Sequence, residues 1–249
     1  MRQSKSTSRT RQPRRELLRI EGRPVAVTVR LNPRATRLIV KVHPSTGEVS
    51  VVAPSRRSLD SAMAFARSES SWIARRLEHV PEPVDLEPGA FIPFRGETHV
   101  IHAAARGRTP VWIDRGARVI SVSGQSEHAP RRVLDFLKRE ARRVLDGRVG
   151  EYSARIGVAP KRITVRDTAS RWGSCSTTRA ISFSWRLILA PAFVLDYVVA
   201  HEVAHLRHMN HGTRFWAVVR ELVGDVEKPQ AWLSKNGPLL HRYAPRTAP

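Results

Sequence analysis

The residues with the most chemical content are His201, Glu202 and His205, in the run Val198-Val199-Ala200-His201-Glu202-Val203-Ala204-His205. In a helix, residues i and i+4 lie one turn apart on the same face, so His201 and His205 can reach one metal ion. Glu202 sits about 100° round the helix from His201, close enough to touch a metal-bound water without ligating the metal. Zinc lowers the pKa of its bound water to about 7, and a carboxylate beside it takes the proton as the water attacks a carbonyl. The turns before the motif, Phe193 to Ala200, are apolar on almost every face, which marks a buried helix. Two histidines and a glutamate in such a helix must be paired or coordinated, and a metal compensates all three at once.

His208 and His211 both compete to be the third ligand. Three ligands along one straight helix converge poorly on a tetrahedral ion, which counts against His208. His211 lies between Asn210 and Gly212, residues suited to ending a helix and folding the chain back, and is the favoured ligand. Glu221 or Asp225 would serve if His211 faced solvent. The spacing from His205 to His211 also occurs in metzincins, but His208 stands at their glycine position. No methionine follows Met209 to supply their Met-turn, so that class fits poorly.

The elements that must position these groups form an α+β pattern. Val25, Val27, Val29 and Leu31 alternate, as do Leu38, Val40 and Val42, then Val49 and Val51, predicting short strands. A helix follows from an N-cap at Ser58 to about Glu78. Further strands are expected at Phe91–Phe94, His99–Ala103, Val111–Asp114 and Val119–Val122, after a proline- and acid-rich linker at Val80 to Pro88. Residues 130–155 carry Val133, Leu137, Ala141 and Val144 at helical spacing with arginines opposite. Strands at Ile163–Val165 and Ile181–Phe183 flank Arg171-Trp172-Gly173-Ser174-Cys175. A long helix then runs from Pro191 to Asn210, and two shorter ones span about 213–223 and 228–235. Trp72, Trp112 and Trp232 read as core, and Phe215 and Trp216 as packing the following helix onto the site.

This divides into a disordered basic arm (1–20), a β-rich module (21–125) and a helical, small-sheet metallopeptidase domain (126–249), with no evident internal repeat. Lys and Arg number 43 against 22 acids, a net charge of +21 that attracts polyanions such as nucleic acid. Cys175 is the only cysteine, which excludes a disulfide framework and a thiolate zinc cluster and makes it a small packing residue rather than a nucleophile. The basic N-terminus lacks the apolar stretch of a secretory signal, and the run Leu187 to Ala200 is too short for a bilayer. A cytoplasmic protein without a membrane partner is the expectation; its oligomeric state is not legible.

Arg171-Trp172-Gly173-Ser174-Cys175, Ser184-Trp185-Arg186-Leu187, the run Asp196 to Leu206, Asn210-His211 and Phe215-Trp216 together resemble the YgjP-like zinc metallopeptidases, and more remotely the SprT-like proteases. The match is dense over about residues 160–240 and looser over Arg34–Leu77. The resemblance implies a zincin-like helix-and-sheet core acting on a peptide or protein substrate, with zinc on His201, His205 and His211 and Glu202 catalytic. SprT-like relatives include proteases of DNA-bound protein, which sits with the chain's charge. Arg171, Ser174 and Tyr197 are candidates to polarise a substrate carbonyl. The alternatives to a peptidase are a nucleic-acid-binding protein with a structural zinc site closed by His208, and a zinc hydrolase of a non-peptide substrate.

Overall fold

The computed structural model describes residues 14–43, 46–107, 109–168 and 171–243. The chain divides into two compact units, Met1–Val80 and Pro81–Pro249. In the first, β1 (Arg14–Ile20), β2 (Arg23–Leu31), β3 (Ile39–Val42) and β4 (Val49–Ala53) form a sheet ordered β1-β2-β4-β3. Only the β2–β4 pair is parallel. One face is apolar because alternate residues share it, and Val27, Val29, Val49 and Val51 are buried there. They share a core with Ala62, Met63 and Ala66 of α1 (Leu59–Ser68) and Ile73 of α2 (Ser70–Glu78).

Two expectations change here. The segment 14–20, assigned to the arm, is strand β1, because Leu18 and Ile20 are buried in this core; residues 1–13 lie outside the described residues. The helix expected to run from Ser58 to Glu78 is two helices meeting at Glu69, and the hydroxyl of Ser58 faces that of Ser55 at 3.0 Å rather than capping the helix.

The second unit opens with β5 (Phe91–Phe94), β6 (Glu97–Ala104), β7 (Val111–Asp114) and β8 (Val119–Ser123), ordered β5-β6-β8-β7. Again only the middle pair is parallel. Each sheet begins with a two-residue hairpin turn whose residues both have positive φ: Glu21 (47°) and Gly22 (80°), then Arg95 (52°) and Gly96 (85°). That is the I′ geometry that suits strand twist. A short 3-10 turn and a helix follow each sheet. The chain therefore contains a structural repeat that the sequence does not display, because what recurs is turn geometry and strand order rather than side chains.

After the second sheet comes α3 (Ala129–Ile156), 28 residues long and stopped by Gly157 at φ 66°. A three-stranded sheet of β9 (Arg162–Arg166), β10 (Gly173–Cys175) and β11 (Ala180–Ser184) follows, ordered β10-β11-β9, with β11 parallel to β9. A 3-10 segment, Trp185–Leu189, leads into α4 (Ala192–Ala204), and α5 (Thr213–Val223) and α6 (Glu227–Leu240) complete the unit. One core unites β5–β8, α3 and α4, from Leu86 through Ile120, Leu137 and Val199 to Leu240. That shared core moves the boundary expected at 125 back to Val80, inside the segment read as a linker, because β5–β8 bury their apolar face with the helices of this unit.

Candidate active site

Helix α4 is held at both ends and along its side. At its start, the Arg95 and Gly96 amides donate to the carbonyls of Ile188 (2.7 Å) and Leu189 (3.1 Å). A Cβ at Gly96 would lie 2.8 Å from Pro191, so glycine permits both the turn and the close approach. Along its side, Arg148 of α3 grips the Asp196 carboxylate with two parallel bonds, Nε to Oδ1 at 2.6 Å, a fork that fixes direction as well as distance. The acid keeps the Arg148 guanidinium protonated well above the usual arginine range, against the opposing effect of burial. At its far end, Arg207 donates to the Ile156 carbonyl at the terminus of α3.

The helix ends at Ala204, one turn and a half earlier than expected. Leu206 N–H bonds to Val203 O (2.9 Å) and Arg207 N–H to Ala204 O (3.1 Å), a tightening typical of a helix end. This early stop removes His208 from the face shared by His201 and His205. The His208 carbonyl instead accepts from Nδ1 of His205 (3.0 Å), leaving Nε2 of His205 to act as a ligand.

His201, His205 and His211 come together with their ligating nitrogens all within 4.8 Å of one another, a group that could hold a metal ion. The Nε2 atoms of His201 and His211 are 3.1 Å apart. Phe215, fully buried at the start of α5, packs against all three rings at centroid distances of 4.9, 4.6 and 4.7 Å. Trp216 closes on His201 (5.9 Å) and His211 (6.0 Å), so both aromatics pack where the sequence placed them. Among the described residues Nδ1 of His201 is buried without a hydrogen-bond partner, and packing against Phe215, Trp216 and Tyr197 orients its ring. Burial, reinforced by the neighbouring His205 and His211, lowers His201 to about 4, so it stays neutral with a lone pair to donate. Burial lowers His205 as well, against the opposing bond to His208.

Glu202 is buried in α4, 6% exposed. Burial raises its carboxyl to about 7, with the positive charge of Arg171 pulling the other way. Gly173 of β10 comes so close that a Cβ there would lie 2.6 Å from both Cγ and Oε1 of Glu202. This contact was not legible in the sequence, where Gly173 read only as part of a connection between strands. Residues 173–175 are instead a third strand, the edge of the small sheet.

Asp225 does not join the histidine cluster. Its carboxylate accepts from the amides of Glu227 (2.9 Å) and Lys228 (3.1 Å) at the start of α6, and Glu221 is exposed. The three residues considered for a substrate carbonyl part company. The Tyr197 hydroxyl accepts from Gln230 Nε2 (2.8 Å), and Ser174 belongs to the opposite face of β10 from Gly173. Arg171 and Tyr197 both feel the charge of Glu202, and of the two only Arg171 carries an opposite charge that favours its ionised form.

A buried helix and the turn that follows it, together bringing three imidazole donors to a buried carboxylate, form the arrangement of a metal-dependent hydrolase. Residues 36–236 match the family described as YgjP-like, metallopeptidase domain, and the chain belongs to that family. The protein is a metallopeptidase. Among solved structures it is similar to the metallopeptidase zymogen abylysin of Pyrococcus abyssi, with 17% identity and a TM-score of 0.34, over 40% of this chain and 98% of that one. No curated protein matches the chain. Among the described residues, no helix is long and apolar enough to cross a membrane.

Proposed function

We propose that the protein is a zinc-dependent peptidase of the cytoplasm, with His201, His205 and His211 holding the ion and Glu202 as general base. The observation that carries this reading is the convergence of three imidazole nitrogens beside a buried carboxylate. Two nitrogens bound tetrahedrally to zinc at about 2.05 Å stand roughly 3.3 Å apart, and the 3.1 Å between His201 and His211 is close to that. The donors also fit chemically: His201 is neutral, and His205 has its other nitrogen engaged.

When bound, the metal supplies Lewis acidity that turns water into a nucleophile near neutral pH. Glu202 accepts the proton of the attacking water and returns it to the leaving amine. Arg171 adds positive charge on the side of Glu202 and offers donors to a substrate oxygen. Gly173 leaves Glu202 room to take its position. Three ligands leave one position open for chemistry, whereas a structural site is closed by four. His208, the fourth ligand that a structural reading requires, is outside the cluster among the described residues.

Metal content by mass spectrometry, measured with turnover of an unfolded protein substrate, tests this. Wild type should carry about one zinc, lost in His201→Ala and His211→Ala. Glu202→Gln should keep the metal and lose roughly 10²–10⁴-fold in turnover. Full zinc in His211→Ala overturns the ligand set, and full turnover in Glu202→Gln overturns the base.

A further inference from the structure

The small sheet has a second face. Gly173 looks toward Glu202, and Ile181 and Phe183 are buried in the core. The residues between them point the other way. There Arg162 and Arg166 of β9, with Thr164, Ser174 and Ser182, line a hollow of about 330 Å³ that Arg171 also borders. No carboxylate lines it, and none of these three arginines makes an ion pair among the described residues. Arg166 also borders a second hollow, of about 340 Å³, beside Lys138, Arg139 and Arg142 of α3. The one acid there, Asp167, is engaged by the buried Arg186.

This concentration of charge exceeds the chain's general basicity. From Lys161 to Arg186 there are six basic residues and one acid. The arginines of α3 show what structural use looks like: Arg142 bonds Asp146 and the Ile163 carbonyl, Arg148 bonds Asp196, and Arg155 bonds the carbonyls of Glu221 and Leu222. Among the described residues Arg162 and Arg166 have no such employment, whereas Arg171 faces the charge of Glu202.

We propose that this face binds the phosphate backbone of nucleic acid. Guanidinium forks match phosphate oxygens, and serine and threonine hydroxyls add donors between them. Arg162 and Arg166, four residues apart on a strand, are separated by roughly 13 Å and so contact separate phosphates. Among the described residues the face has no exposed aromatic, since Trp185 is fully buried, so it provides no stacking platform and reads backbone rather than bases. An acidic protein fits less well, because protein interfaces rely on apolar anchors, and Ile181, the large apolar residue lining the sheet hollow, is buried. Strand β10 separates this surface from Glu202, so bound nucleic acid would lie beside the catalytic side without filling it. The proposal does not rest on the metal reading.

Fluorescence anisotropy with labelled duplex oligonucleotides of two unrelated sequences, titrated with NaCl from about 50 to 200 mM, tests it. Both sequences should bind alike, with log K falling linearly in log[salt]. Arg162→Gln/Arg166→Gln should reduce the magnitude of that slope by about 1.8, at 0.9 per phosphate, and weaken binding tens-fold at about 0.1 M salt. Arg162→Lys/Arg166→Lys should retain most of the slope. Arg56→Gln/Arg57→Gln, an equal charge change at exposed positions of the first unit, should leave it unchanged. Equal loss in that control pair, an unchanged slope in Arg162→Gln/Arg166→Gln, or equally tight binding of poly-glutamate would overturn the proposal.

Discussion

Replacing Gly173 by alanine puts a methyl carbon 2.6 Å from Cγ and Oε1 of Glu202 and 2.9 Å from Cδ. Non-bonded carbons settle at about 3.5–4.0 Å, so one partner must retreat by roughly 0.9 Å. The strand is poorly placed to yield, because Gly173 is in register opposite the fully buried Phe183. Glu202, 6% exposed among the apolar residues of α4, is the side that moves, and it has little solvent to move into. A displacement of about 1 Å from productive geometry costs on the order of 10²-fold in rate, or about 2.7 kcal/mol of transition-state stabilisation. Overpacking should lower stability by a further 1–3 kcal/mol, roughly. The three histidines are not touched, so the metal should remain. Turnover, metal content and melting temperature measured together on Gly173→Ala separate these effects. Activity within about twofold of wild type would refute the reasoning, since a change that small lies far below the 10²-fold expected. So would a rate loss that merely follows loss of metal.

Two further perturbations test parts of the structure away from catalysis. The Arg186 side chain is 4% exposed and its partner Asp167 is 52% exposed, so Asp167→Asn should cost about 1–2 kcal/mol, less than the full value of a buried pair. For a chain of this size that lowers the melting temperature by roughly 2–8 °C. Burial raises the Asp167 carboxyl, but the hydrogen bond and charge of Arg186 outweigh it, and the net shift is downward. The stabilisation is therefore complete above the ordinary aspartate value of about 3.9 and lost as pH falls through the lower folded value. Melting curves of wild type and Asp167→Asn should differ at pH 6 and converge in acid; a constant difference would contradict the pairing. Burial, with a smaller contribution from the nearby Glu202, pushes the Cys175 thiol up to about 11. Alkylation by iodoacetamide at about pH 8 should be roughly two orders of magnitude slower than for a free thiol and rise about tenfold per pH unit. Rapid labelling at neutral pH would show the thiol to be exposed or activated.

The grouping of the three histidines was legible in the sequence because it lies in local spacing. One helical turn relates His201 to His205, and Asn210 and Gly212 mark where the chain folds back to bring in His211. The limits of α5 were readable for the same reason, since Phe215, Val218, Val219 and Leu222 recur at helical intervals. What escaped depends on contacts between distant segments. Gly173 is 29 positions from Glu202, and nothing in the triplet Gly-Ser-Cys announces a strand; its pairing with Ile181–Phe183 makes it one. The same holds for β1, where four charged residues in seven hide the alternation of Leu18 and Ile20 toward the core. The end of α4 was misplaced because helix propensity continues past Ala204, while the His205–His208 contact that accompanies the stop is a property of the folded site. The basic character of the chain was plain from composition, but which arginines are engaged was not. Arg148 and Arg155 tie helices together and Arg162 and Arg166 do not, although all read as the same residue type.

The hairpin turn at Arg95–Gly96 has a consequence for the order in which the molecule is built. Its bonds to Ile188 and Leu189 span 188 − 95 = 93 residues. Closing so long a loop is entropically unfavourable until the intervening core can repay it, and contacts of this kind slow folding. During synthesis the hairpin leaves the ribosome well before the segment it receives, and domains form from the N-terminal side first. The β5–β8 sheet can thus be ready as a template when Pro191 and α4 emerge, with His211 and Phe215 still to come. The three histidines meet only after that docking, so the candidate metal site is among the last parts of the unit to exist. Metal added during refolding should then leave the early phases unchanged and act on the final one.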